Sequence, residues 1–123
     1  MGTYVTIRGW VECDERQLPL VQGIAEAEGA REGRYRGGWS FPPGQTMWTM
    51  TAFFAACGRA GYEDAVREVL RQVAALPASD EDDDRVVGLF RVHHEVDGAT
   101  EWQLRDGTLL CVPAPPQHDY LDA

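Results

Sequence analysis

The residues best equipped for chemistry are His93, His94 and Glu95, consecutive in the chain. An imidazole beside a carboxylate can relay a proton near neutral pH. The stretch around them, Val86 to Val96, reads as a strand, and neighbouring strand side chains point to opposite faces. His93 and His94 therefore cannot easily share a metal, and no Cys, His or carboxylate set stands at zinc spacing. Arg91, His93 and Glu95 share one strand face as a polar cluster, for which a structural role is the simpler expectation. An enzyme using His93 or His94 with Glu95 stays open as an alternative.

A second charged feature, Asp80-Glu81-Asp82-Asp83-Asp84, is an unbroken run of carboxylates. An EF-hand loop would need Gly at its sixth position and Glu at its twelfth. Counted from Asp80, those positions hold Arg85 and Arg91, so the calcium reading fails. What remains is a solvated acidic loop or a contact surface for a basic partner. Cys13, Cys57 and Cys111 are widely spaced, and an odd count without a Cys-x-x-Cys pair predicts reduced thiols. Nucleophile-elbow, phosphate-loop and dinucleotide fingerprints are all missing from the sequence, so no cofactor is expected.

The elements that must position these residues follow from hydrophobic periodicity. Tyr4 to Cys13 alternates, with Val5, Ile7, Val11 and Cys13 on one side and Tyr4, Thr6, Arg8, Trp10 and Glu12 on the other, which predicts a half-buried strand. Asp14 and Gln17 have the spacing of a capping box. Leu18, Val21, Ile24 and Ala25 then recur at helical spacing, and Pro19 fits only the first turn, so a helix is expected from Leu18 or Pro19 to Gly29 or Gly33. Arg34 to Phe41 predicts a short strand, and Thr46 to Cys57 a longer one inside the sheet. Glu63 to Leu76 is a clear amphipathic helix with Val66, Val69, Leu70, Val73 and Leu76 in one stripe, stopped by Pro77. Asp97-Gly98 and Asp106-Gly107 each predict a two-residue type I′ hairpin turn. A short strand over Leu109–Val112 closes the meander, and residues 113–123 are expected to form a loose tail.

This order, β-α-β-β-α-β-β with a last short strand, predicts an α+β fold. Two helices would pack on one face of an antiparallel sheet, in a ferredoxin-like arrangement. The 123 residues predict a single domain over 1–123. A chain of this size buries about two-thirds of its unfolded surface. No apolar run approaches the ~18–20 residues that span a bilayer, and Met1 to Arg8 does not read as a secretory signal, so a cytoplasmic protein without membrane contact is expected.

Net charge is −9, with no lysine. Residues 1–75 hold eight Arg against nine Asp and Glu, while residues 76–123 hold three Arg against eleven Asp and Glu. The second part therefore carries almost all of the excess. Such a balance argues against nucleic acid, whose phosphates require a basic footprint, and favours a basic protein partner reached by electrostatic steering. The four tryptophans are many for this length, and any exposed one would serve as an interface anchor.

Gly88-Leu89-Phe90, His94-Glu95-Val96-Asp97-Gly98 and Glu101-Trp102 resemble segments of small acidic immunity proteins from bacterial polymorphic toxin and contact-dependent growth inhibition systems. Gly9-Trp10-Val11-Glu12-Cys13, Gly37-Gly38-Trp39-Ser40-Phe41-Pro42 and Tyr120-Leu121-Asp122 add to the resemblance, which covers nearly the whole chain. It implies a non-catalytic protein, monomeric or weakly dimeric, that binds and neutralises a cognate toxin domain inside the producing cell. Many such toxins are nucleases with basic clefts. The expected contacts are Asp80, Glu81, Asp82, Asp83, Asp84, Glu95, Asp97 and Glu101, with an aromatic anchor from Trp39 or Trp102. A non-catalytic adaptor or regulatory domain is the further alternative.

Overall fold

The alternating segment at the start forms the strand β1 (Tyr4–Cys13). It is followed by α1 (Leu18–Glu32), β2 (Trp39–Ser40), β3 (Met50–Arg59), α2 (Tyr62–Ala74), β4 (Val87–His94), β5 (Gly98–Arg105), β6 (Thr108–Pro113) and a 3-10 helix over Pro116–Asp122. The structure is a computed structural model that describes residues 2–32, 37–79 and 82–123. The fold is α+β, with one open sheet ordered β2-β3-β1-β4-β5-β6 and every neighbouring pair antiparallel. The expected strand at Arg34 lies partly outside the described residues and is seen only at Trp39–Ser40. No described helix is long and apolar enough to cross a membrane.

Both helices pack on the same face of the sheet. Val21 and Ala25 of α1 and Val66, Val69, Leu70, Val73 and Ala74 of α2 are buried with Val5, Ile7, Val11, Ala52, Phe54, Phe90, Trp102 and Leu104. Removing each large aliphatic side chain from water contributes about 1.5–3 kcal/mol. An aromatic row crosses the centre of this face, through Phe54, Gly9, Phe90 and Trp102 in register. Glycine is required in that row. A Cβ on Gly9 would stand 2.1 Å from the Leu89 carbonyl oxygen and 2.7 Å from Phe90 Cα. β1 and β4 therefore approach too closely for a side chain, and neighbouring rings fill the space.

The start of α1 is built as the sequence predicts, whereas α2 runs over Tyr62–Ala74 rather than Glu63 to Leu76. Asp14 Oδ1 accepts the N–H groups of Arg16 and Gln17, each at 2.8 Å, and Gln17 Oε1 accepts the Asp14 N–H at 3.0 Å. This reciprocal cap sets the start of α1. Gln17 is buried and does more than cap, because its Nε2 donates to the carbonyls of Pro77 and Asp84 at 3.3 and 3.0 Å. Ser79 Oγ also donates to Asp14 Oδ2. Both ends of the acidic loop are thereby tied to the start of α1.

Several expectations need correction. β3 starts at Met50 rather than Thr46, because Gln45 imitates a strand partner. Its Oε1 accepts the Thr51 N–H at 2.8 Å and its Nε2 donates to the Thr51 carbonyl at 3.0 Å, so residues 46–49 loop outward. Asp106-Gly107 is the type I′ turn, with φ of 54° and 77°. Asp97-Gly98 is not, since only Gly98 has positive φ, and His94 pairs with Gly98 across a wider reversal. His94 Nδ1 accepts the N–H groups of Val96 and Asp97, both at 3.1 Å, and so supports the wider turn. The segment after Pro113 is not loose. It forms the 3-10 helix, held to the sheet by ion pairs of Asp122 with Arg8 and Arg91.

Candidate interaction site on the open sheet face

Strand alternation sends every second side chain away from the helices. On this open face, register aligns Phe53, Trp10, Leu89, Gln103 and Leu110 in one cross-strand row, and Ala55, Arg8, Arg91, Glu101 and Val112 in the next. Arg8 and Arg91 stand directly opposite each other, an arrangement that like charges alone would oppose. The returning C-terminal segment resolves it by placing one carboxylate between them. Asp122 Oδ1 lies 2.5 Å from Arg8 Nη2, and Asp122 Oδ2 lies 2.5 Å from Arg91 Nη2. Arg8 Nη2 also donates to the Leu121 carbonyl at 3.2 Å, and Arg91 Nη2 reaches Asp119 at 3.3 Å.

The side chains of Arg91 and Asp122 are each only 10% exposed. Burial alone would raise the Asp122 carboxyl pKa. The Arg91 hydrogen bond and charge, followed by His93 and Arg8, outweigh that effect and hold it below the usual carboxylate range. The hydrogen bond from Arg91 to Asp122 likewise keeps the guanidinium protonated more firmly, against the opposing effect of burial.

Beside this ion cluster lies a groove of about 610 Å³. Its floor is Trp10, Phe53 and Leu89, and His118, Tyr120 and Leu121 of the 3-10 helix form one wall. Trp10 is 37% exposed and Phe53 46%, and Leu110, Leu121 and Tyr120 are also exposed. Glu101 lines the groove and accepts from Gln103 Nε2 at 2.7 Å, and Glu12, two residues beyond Trp10 on the same strand face, accepts the Trp10 Nε1–H at 3.0 Å. The surface thus combines exposed rings, anchored arginines and acidic edges.

A smaller apolar projection sits at the acidic-loop end of the sheet. Trp48 is 99% exposed there, next to Met47, with Asp14, Glu15 and Ser79 around a cavity of about 360 Å³.

The sequence-predicted site residues do not converge on one place. Trp102 is 2% exposed, on the helix face beneath the Arg67 guanidinium at 5.0 Å, so it cannot anchor a partner. Glu101, Gln103 and Arg105 alternate with it, which is why Trp102 points inward. Trp39 is half-buried, stacked on Phe41 at 5.8 Å and tilted against Phe54 at 5.1 Å. Glu95 is exposed, and its Oε1 accepts the Tyr4 N–H at 2.6 Å. Asp97 lies in the β4–β5 turn, exposed. Asp80 and Glu81 lie outside the described residues. Asp82, Asp83 and Asp84 are exposed in the loop, with Asp83 3.6 Å from Arg85. Among the described residues, only Glu101 of the expected contacts belongs to the groove.

Of the three residues with chemical potential, His93 faces the strap beside Asp122, His94 supports a turn, and Glu95 holds the start of β1. They do not assemble around a common point. Among the described residues no group of three His, Cys, Asp or Glu is placed to hold a metal ion. Burial, and then the Asp14 charge, push the Cys13 thiol up to about 11, which suits a packing role rather than a nucleophile. The periodicity that placed Trp10 opposite Val11 contained the signal for the groove. Phe53 and Leu121 carried no comparable mark.

No protein-family model, curated protein or solved structure matches this chain.

Proposed function

We propose that the protein is a non-catalytic binding protein that neutralises a basic toxin domain inside the cell that produces both. The observation that carries this reading is the open sheet face. Exposed Trp10, Phe53, Tyr120 and Leu121 cluster around a groove with carboxylates at its edge, on a chain of net charge −9. Trp, Tyr and Arg dominate interface hot spots, and an apolar centre with a charged rim is the anatomy of a protein interface. The family resemblance read from the sequence points the same way. The scaffold supports a ferredoxin-like reading of its first six elements, since β3 lies between β1 and β2 and β4 flanks β1. β5 and β6 widen that sheet and so widen the available face.

The test is growth rescue. The C-terminal domain of a large exported protein encoded beside this chain is expressed with and without it, and surviving cells are counted. Rescue, together with a one-to-one complex in calorimetry whose affinity falls as salt rises, is the expected result. Toxicity from such domains without rescue would overturn the reading.

A further inference from the structure

We infer that the open sheet face receives one basic, amphipathic α-helix of a partner protein, lying across the strands beside the 3-10 strap. The inference rests on the proposed binding function and adds the binding mode.

The row from Phe53 through Trp10 and Leu89 to Leu110 crosses five strands, β3, β1, β4, β5 and β6. At a strand spacing of about 4.8 Å it is ~19 Å long. A helix of about 13 residues has that length at 1.5 Å per residue. Neighbouring rows on the same face are two residues away along each strand, ~7 Å. A helix centred on the Trp10 row, ~10 Å in diameter, would therefore contact the Glu12 row on one side and the strap on the other.

The chain itself shows that a helical segment fits this face across the strands. The strap runs from the end of β6 to Arg91 on β4 and Arg8 on β1, beside the vacant row. Leu121 and Tyr120 are its groove-side wall.

Charge selects the sign of the partner. Arg8 and Arg91 are together engaged by Asp122 and Asp119, two carboxylates for two arginines, so the arginines that line the groove offer little attraction to an acidic ligand. Glu12 and Glu101 remain along the edges. An apolar stripe at i, i+3, i+4 and i+7 would cover Phe53, Trp10 and Leu89, and Lys or Arg at its flanks would face those carboxylates.

The test uses the full chain and three blocked 14-residue synthetic peptides, measured by calorimetry and by amide chemical shifts. One is a Leu/Lys peptide with all leucines on one helical face. The second has the same composition scrambled to destroy that face, and the third replaces Lys by Glu. The first peptide is expected to bind at least tenfold more tightly than either control, with shift changes centred on β1, β3 and β4. Trp10→Ala and Phe53→Ser, both at exposed positions, should each weaken it at least fivefold, and Leu20→Lys on the far side of the molecule should leave it unchanged. Equal binding of the scrambled peptide, no binding of the first peptide at millimolar concentration, or affinity unaffected by the two groove variants would overturn the inference. Peptide binding without toxin rescue would leave this surface standing and remove the toxin reading. Rescue without peptide binding would do the reverse.

Discussion

The two faces of one sheet are finished in different ways. The same four-strand stretch, β3-β1-β4-β5, presents Phe54, Ile7, Phe90, Trp102 and Leu104 to the helices and Phe53, Arg8, Trp10, Leu89 and Glu101 to the other side. Two helices close the first face, and its side chains are buried. A seven-residue 3-10 helix crosses the second, held by one carboxylate between two arginines, and leaves aromatic rings exposed beside it. Stability is therefore concentrated on the helix face. The open face retains hydrophobic area that folding does not use, and that area is available for recognition.

Substitutions on the two faces separate these roles. The largest effect is expected at Gly9→Ala on the helix face, where the new Cβ meets backbone atoms of β4 that cannot move aside. A loss of about 3 kcal/mol or more is expected in urea denaturation, the range of severe overpacking. A loss below ~1 kcal/mol would mean that the two strands can separate without cost and that the close seam is not a constraint. Leu70→Ala, fully buried in α2, should cost ~2–5 kcal/mol by the same measurement.

Gln17→Leu should cost less, about 1–2 kcal/mol, since it removes the Gln17 half of the α1 cap and two hydrogen bonds to the ends of the acidic loop. It should also raise amide exchange through residues 77–79 and 82–84. A change confined to α1 would show that the loop is held by other means.

On the open face the effect is local and depends on pH. The folded Asp122 carboxyl titrates below its usual range, so its contribution is complete above the ordinary carboxylate pKa and disappears as pH falls through the lower folded value. Amide protection in residues 116–122 should therefore hold from neutral pH through the ordinary carboxylate range and be lost only at still lower pH. In Asp122→Asn it should be weak at every pH, while the helix face keeps its unfolding midpoint. Unchanged protection in Asp122→Asn would show that Leu121 and the prolines, rather than the ion pairs, hold the strap. The smallest effect on stability belongs to Trp48→Ala, within about 0.5 kcal/mol, because the side chain is 99% exposed.

Local periodicity made much of this architecture legible. The alternation of Val5, Ile7, Val11 and Cys13 located β1, the Val66-Val69-Leu70-Val73 stripe located α2, and Asp14 with Gln17 located the start of α1. Asp106-Gly107 also specified its turn. Sequence reading failed where a side chain over-rode local preference. His94 widened the reversal at Asp97-Gly98, and Gln45 displaced the start of β3. It failed again at the C-terminus, because the pairing of Arg8 and Arg91 with Asp122 joins residues more than 30 positions apart. The groove was hidden for the same reason. Its exposed rings come from β1 and β3 and its wall from the tail, and no local pattern states that those parts meet. Trp102 illustrates the opposite error, since a conspicuous residue type outweighed an alternation that already placed it inward.

The central claim is that recognition uses the face that folding leaves open. The most direct measurement is toxin rescue by three variants whose thermal unfolding first shows them to be folded: the Trp10→Ala/Phe53→Ser double variant, the Leu20→Lys control on α1, and Asp82→Asn/Asp83→Asn in the acidic loop. The account predicts that the double variant loses rescue by at least tenfold in surviving cells, that Leu20→Lys rescues as the parent does, and that the loop variant weakens rescue only modestly. Full rescue by the Trp10→Ala/Phe53→Ser variant would contradict it.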